Sequence, residues 1–288
     1  MFKVTSLGPQ DAIQAAWDAL AWADPTPAEA VDAKEEGRTS WRLDAYAETE
    51  EAARACVEMI ETTAPGLTAR YETLEDRDWV TLSLEGLPPV EAGPFLVAGS
   101  HALTAGSPGK ISVLIEAGPA FGSGHHGTTL GCLLALDKVR RNRKIGKVLD
   151  LGTGSGVLAI AALKTGAIRA IGSDLDADSI IVARENAAKN HVAGSFKALN
   201  AIGARSRLIR EQAPYQTVFA NILAKPLISL APDISRLTAP GGTIILSGLL
   251  EHQEPLVRSA FLGRKITMDQ RIRRDGWSTL VFRKPMRP

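Results

Sequence analysis

The feature that most limits the fold of this chain is Val148-Leu149-Asp150-Leu151-Gly152-Thr153-Gly154-Ser155-Gly156. Residues 147–151 read as a short apolar strand. Three glycines follow on alternate positions, and residues 157–164 then read as an apolar helix. A strand that turns tightly into a covering helix is the repeating unit of a parallel sheet. The pattern recurs downstream. Strands are expected at 169–173, 217–220 and 243–247, and helices at 177–190, 226–237 and 254–261. The chain ends in two alternating runs, 266–271 and 277–283, around Asp275-Gly276, which reads as an antiparallel hairpin. The sum is an α/β unit with a mostly parallel sheet and helices on both faces. Ligands of such sheets bind beyond the carboxyl ends of the strands, where the strand order reverses.

The first third differs. Residues 2–7 and 41–46 alternate like strands, and further short strands are expected at 68–74 and 80–84. Ile13, Ala16, Trp17 and Leu20 recur at helical spacing. Thr49 opens a second helix with Ala52, Ala55, Cys56 and Met59 on one face. This fits a small α+β, ferredoxin-like sandwich of split βαβ type. Breaker-rich residues 86–94 mark a boundary. The expected division is a recognition domain at 1–85, a linker with lead-in strands at 86–118, and a second domain at 119–288. Charge divides too. Residues 1–90 hold 7 Lys and Arg against 18 Asp and Glu, a net of −11, while the whole chain carries +1. An acidic surface repels nucleic acid phosphates and suits a basic protein. Cys56 and Cys132 form no Cys-x-x-Cys pair, so neither a disulfide framework nor a zinc site is expected. No apolar run is long enough to span a membrane and no signal-peptide layout opens the chain, so a cytoplasmic protein is expected.

The glycine loop carries chemistry. Glycines permit close approach of the backbone to a ligand, and the helix start offers free N–H groups. Asp174 ends the next strand, 22 residues after Gly152, where a carboxylate can take hydrogen bonds from ribose hydroxyls. Together they point to a nucleoside cofactor. A dinucleotide fingerprint fails, because its third glycine would fall on Val157. A phosphate-binding P-loop fails as well: Gly109-Lys110 runs into Ile111, and Thr104 stands where its first glycine belongs. Spaced Gly-x-Gly-x-Gly after an acid, the loop is similar to those of S-adenosylmethionine-dependent methyltransferases.

Three more segments sharpen the likeness. Ala120-Phe121-Gly122-Ser123-Gly124-His125-His126-Gly127-Thr128-Thr129 precedes the nucleotide unit, Ala220-Asn221-Ile222-Leu223-Ala224 follows the fourth strand, and Ser247-Gly248-Leu249-Leu250 follows the fifth. Together these resemble the bacterial ribosomal protein L11 methyltransferases, the PrmA family, from about residue 118 to the end. Ser123 stands where that family usually has Thr, and Gly127 where Pro is frequent.

The resemblance implies a class I methyltransferase fold, Rossmann-like, with a seven-stranded mostly parallel sheet and an antiparallel C-terminal hairpin. It implies S-adenosyl-L-methionine as cofactor, contacted by Thr129, Gly152, Gly154, Gly156, Asp174 and Asn221, with Phe121, Gly122 and Gly124 shaping a loop over it. Asn221 would also present a carbonyl to the incoming amine. The implied substrate is ribosomal protein L11, methylated on lysine side chains and its N-terminal amine. Adjacent His125 and His126 lack a carboxylate at ligand spacing, so no metal is expected. Neither direct nucleic acid binding nor membrane attachment is expected, and the chain is taken as a monomer. Two alternatives stay open: a methyltransferase for RNA or a small molecule, and a non-catalytic binding module that kept the fold.

Overall fold

The computed structural model describes residues 1–23, 25–36, 40–73, 89–100, 102, 109–116 and 127–286. The chain forms two units, Met1–Trp79 and Val80–Pro288.

The first unit runs β1 (Phe2–Gly8), α1 (Gln10–Trp22), β2 (Ala30–Glu36), β3 (Ser40–Ala47), α2 (Glu50–Thr63) and β4 (Ala69–Thr73). Its antiparallel sheet has the order β2-β3-β1-β4, the split βαβ arrangement expected. Helix α1 buries Ile13, Ala16, Trp17 and Leu20, the stripe its spacing foretells. Helix α2 starts at Thr49, whose hydroxyl accepts from the Ala52 N–H at 3.1 Å. Its buried stripe is Ala53, Cys56 and Ile60. The face expected on Ala52, Ala55, Cys56 and Met59 is therefore rotated, leaving Ala55 exposed. The bulkier Ile60 takes the core position and carries the stripe with it. Strand β2 was not expected. It is an edge strand of sequence Ala-Val-Asp-Ala-Lys-Glu-Glu that buries only Ala33, so little apolar alternation marks it. The strand expected at 80–84 lies outside the described residues.

The second unit begins with a small sheet, β5 (Val90–Ala92), β6 (Phe95–Ala98) and β7 (Ile111–Leu114). Then come α3 (Gly127–Asn142), β8 (Gly146–Leu151), α4 (Val157–Lys164), β9 (Ala167–Asp174), α5 (Ala177–Lys189) and β10 (Phe196–Asn200). The chain continues through α6 (Arg207–Gln212), β11 (Tyr215–Asn221), α7 (Ala224–Leu237), β12 (Thr238–Leu250), α8 (Glu254–Leu262), β13 (Thr267–Arg274) and β14 (Trp277–Arg283). The large sheet has the order β10-β9-β8-β11-β12-β14-β13. Its first five strands are parallel, and β14 joins β12 and β13 antiparallel. At the hairpin tip Asp275 and Gly276 have φ of 51° and 78°, as a two-residue turn between twisted strands requires. Helix α4 buries every residue from Val157 to Ala162, because it packs between the large sheet and β7. Ala92, Phe95, Val97 and Val113 of the small sheet share one apolar core with Leu133, Leu136 and Ile160. No helix among the described residues is long and apolar enough to cross a membrane.

The sheet order reverses between β8 and β11. From β8 the chain steps outward to β9 and β10, then returns to β11 on the other side. The ends of β8 and β11 therefore flank the crevice where a ligand belongs.

Helix α3 lies tight on β14. A Cβ at Gly131 would stand 2.1 Å from Thr279 Oγ1. Gly131→Ala gains up to about 1 kcal/mol of helix propensity but overpacks the contact at about 1–3 kcal/mol. The clash wins, so Gly131→Ala should lower the thermal midpoint by several degrees, and Thr279→Ala in the same chain should recover part of the loss. An unchanged midpoint in the single variant would show that α3 sits farther from β14.

Candidate active site

The six described site residues gather at the carboxyl ends of the parallel strands. Leu151 ends β8 and opens the glycine loop. Gly152, Gly154 and Gly156 have φ of 69°, 50° and 84°, a region that side chains rarely enter. The loop is tied to the neighbouring strand. Gly152 N–H and Thr153 N–H both donate to the Ser173 carbonyl, at 2.8 and 3.0 Å. One residue on, Gly154 N–H donates to Asp174 Oδ2 at 2.8 Å. Gly156 faces a helix: its Cβ would lie 3.3 Å from Ala183 Cβ of α5, so this glycine lets two helices close up.

Asp174 is half-buried, and its Oδ1 accepts from Asp176 N–H at 3.2 Å. A carboxylate has about four lone-pair positions, so Asp174 can still accept from a ligand. Beside it stand two bare apolar side chains, Leu175 at 70% exposure and Ile202 at 60%. Asn200 Nδ2 donates to the Leu175 carbonyl at 2.7 Å, and Ala201 N–H to the Asp174 carbonyl at 2.8 Å, which holds the two segments together. A carboxylate next to exposed aliphatic surface matches a ribose carrying a flat base. Sequence alone did not mark Leu175 or Ile202. The available signal was an apolar residue between two acids, Asp174 and Asp176, at a strand end.

Asp150 lies beneath the loop at 1% exposure. Its Oδ2 accepts from the Thr153 hydroxyl at 2.8 Å, and its Oδ1 has no hydrogen-bond partner. Burial pushes this carboxyl up to about 7. The Thr153 hydroxyl opposes the rise, and the charge of Asp174 adds to it.

Across the crevice, Asn221 ends β11 opposite Ser247 of β12. Its Nδ2 donates to Thr129 Oγ1, in the first turn of α3, over a long 3.5 Å. Its Oδ1 is buried and has no hydrogen-bond partner among the described residues. The next residue wedges between two glycines. A Cβ at Gly152 would meet Ile222 Cγ2 at 2.3 Å, and one at Gly248 would meet the Ile222 carbonyl oxygen at 2.4 Å. Ile222 N–H donates to the Ser247 carbonyl at 3.2 Å. Thr129, Gly152, Gly154, Gly156, Asp174 and Asn221 thus share one end of the sheet. Phe121, Gly122 and Gly124, with His125 and His126, lie outside the described residues.

The sequence matches the model of the ribosomal protein L11 methyltransferase (PrmA) family over residues 13–285. The chain belongs to this family. It is 46% identical over 252 residues to the ribosomal protein L11 methyltransferase of a Caulobacter species, covering 88% of this chain and 86% of that protein. A Rhizobium etli counterpart is 43% identical over 254 residues, covering 87% of each. Among solved structures, the ribosomal protein L11 methylase of Lactobacillus delbrueckii subsp. bulgaricus matches with a TM-score of 0.61 at 27% identity, over 69% of this chain and 100% of that one. The fold is that of a class I methyltransferase, and the methyl donor is S-adenosylmethionine. The site suits that donor on its own chemistry. Glycines admit backbone approach, Asp174 retains acceptor capacity, and Leu175 and Ile202 offer apolar surface.

Asp150 makes stability depend on pH. Its folded value lies above that of an unfolded aspartate, so the folded state holds the proton more tightly. The stability this supplies is complete below about pH 4 and is lost as pH rises through about 7. Asp150→Asn removes the titration and keeps an oxygen for Thr153. In denaturant titrations the wild type should lose about 2–4 kcal/mol relative to the variant between pH 4 and 8. Parallel stability curves would show that Asp150 does not titrate there.

Proposed function

We propose that this methyltransferase transfers methyl groups to the lysine side-chain amines and N-terminal amine of ribosomal protein L11, as a monomer in the cytoplasm. The observation that carries the reading is the buried Oδ1 of Asn221 at the reversal of the sheet, which has no hydrogen-bond partner among the described residues. A buried acceptor without a donor is costly. An arriving amine supplies the missing N–H.

In this reading Gly152, Gly154 and Gly156 let the loop backbone approach the amino acid portion of the donor. Asp174 takes the ribose hydroxyls, and Leu175 and Ile202 cover the adenine. When bound, S-adenosylmethionine supplies a methyl carbon made electrophilic by the adjacent sulfonium. Thr129 holds the Asn221 amide by its Nδ2, which turns Oδ1 toward the acceptor. An N–H bonded to that oxygen fixes the amine and aims its lone pair. A lysine amine, with a reference pKa near ~10.4, must first lose a proton. A partly apolar crevice favours the neutral form, and the proton leaves through water. Positioning then supplies much of the rate.

The acidic first unit is proposed to dock the basic substrate. Helix α2 exposes Glu50, Glu51, Glu58 and Glu61 around a single Arg54. The pair Glu51→Lys and Glu58→Lys should raise KM for the protein substrate several-fold, most at low salt, with cofactor affinity unchanged. A KM that stays put would remove this surface from docking.

The direct test is transfer of labelled methyl from S-adenosylmethionine to purified ribosomal protein L11, with ribosomal RNA as a parallel acceptor. Label should enter the protein alone, and label in the RNA alone would overturn the substrate. Asn221→Ala should lower kcat about 100-fold while cofactor affinity changes little. Wild-type turnover in that variant would take Asn221 out of the mechanism.

A further inference from the structure

Two asparagines one turn apart are buried, Asn186 on α5 at 1% exposure and Asn190 at its C-cap at 4%. Asparagine is a poor helix former, and a buried amide needs partners for both its ends. Both side chains find theirs on distant backbone. Asn190 Oδ1 accepts from the Leu114 N–H at 2.9 Å, and its Nδ2 donates to the Leu114 carbonyl at 2.6 Å. Two residues on, Asn186 Oδ1 accepts from the Glu116 N–H at 3.1 Å. Strand β7 is an edge strand that ends at Leu114, and Glu116 lies two residues past that end. The pair thus serves as a side-chain substitute for a further strand. Asn190 also takes the Lys164 ammonium on its oxygen at 2.9 Å and donates from Nδ2 to the Asn186 carbonyl at 2.8 Å, but it makes no bond to the glycine loop.

Asn186 does one thing more. Its Nδ2 donates to the carbonyl of Ser155 at 3.0 Å, inside the glycine loop. The peptide unit is planar, so fixing that carbonyl fixes the whole Ser155–Gly156 plane. Gly156 N–H, on the other side of that plane, reaches the Thr153 carbonyl at 2.8 Å. Glycines on both sides of Ser155 leave this plane easy to rotate unless something holds it.

We propose that Asn186 is a positioning residue for the cofactor loop, bridging the Ser155 carbonyl through a single amide to the Glu116 N–H just past the end of β7. The proposal rests on the reading that Gly152–Gly156 holds the methyl donor. Asn186 sets the orientation of the loop before the donor arrives, and Asn190 supplies only the anchorage of β7.

Calorimetry with S-adenosylhomocysteine separates these roles. A wild type that failed to bind would sink the cofactor reading itself. With the wild type binding, Asn186→Ala should weaken affinity about ten-fold. It should raise KM for S-adenosylmethionine with kcat at saturation within about three-fold, because Asn221 and Thr129 are untouched. Asn190→Ala should lower the thermal midpoint yet keep affinity within about two-fold. Wild-type affinity in Asn186→Ala, or equal losses in the two variants, would overturn the proposal. Should Asn186→Ala not fold, hydrogen exchange on the wild type decides. Coupling through Asn186 is reciprocal, so S-adenosylhomocysteine should slow exchange at the Glu116 amide. The same exchange rate with and without it would overturn the bridge.

Discussion

One carbonyl holds the site together. The Ser173 oxygen at the end of β9 accepts N–H groups from both Gly152 and Thr153, so the loop leaving β8 is bound to its neighbour rather than to itself. That contact stations Asp174, the next residue, under the loop, where it takes the Gly154 N–H. Asp174 and the glycines, proposed to meet the ribose and the amino acid portion of the donor, are therefore placed by the same short stretch of ladder. The geometry depends on positive φ at Gly152 and Gly154, since a side chain at either would strain the turn.

The buried acid beneath the loop works against stability. Asp150 sits where a methyl-bearing side chain would pack without desolvation cost, yet it keeps a carboxyl whose one satisfied oxygen meets Thr153. Thr153 in turn presses against Gly172, whose Cβ would stand 2.7 Å from its hydroxyl. Fold and loop share a buried polar contact at the end of the central strand β8. Sites of this kind tend to carry strain or charge that the surrounding core must offset.

Local chemistry was legible in the sequence, and long-range chemistry was not. The glycine loop, Asp174, the strand and helix alternation and the Asp275-Gly276 turn all declare themselves within a few residues. Strand β2 did not, because an edge strand with one buried residue has no periodicity to show. The α2 stripe was misplaced because small apolar residues occur on both flanks of the true face, and only packing selects among them. Leu175 and Ile202 were invisible because single exposed apolar residues are ordinary. Asn186 and Asn190 carry no local signal, since their partners Glu116 and Leu114 lie 70 and 76 positions away in the chain.

Why an asparagine suits the acceptor role proposed for residue 221 follows from what each alternative would do. An aspartate at 221 could accept an N–H equally well, but its charge would favour the ammonium form, which has no lone pair to attack with. It would also lose the donor that Thr129 receives. A neutral amide anchors with one end and accepts with the other, leaving the protonation of the acceptor to the crevice. That division of labour requires the amide to be held still. Ile222 supplies the restraint, with its side chain against Gly152 and its carbonyl against Gly248. Ile222 thereby touches both the glycine loop after β8 and Gly248 of β12, and a shift in that loop reaches the residue beside Asn221 directly.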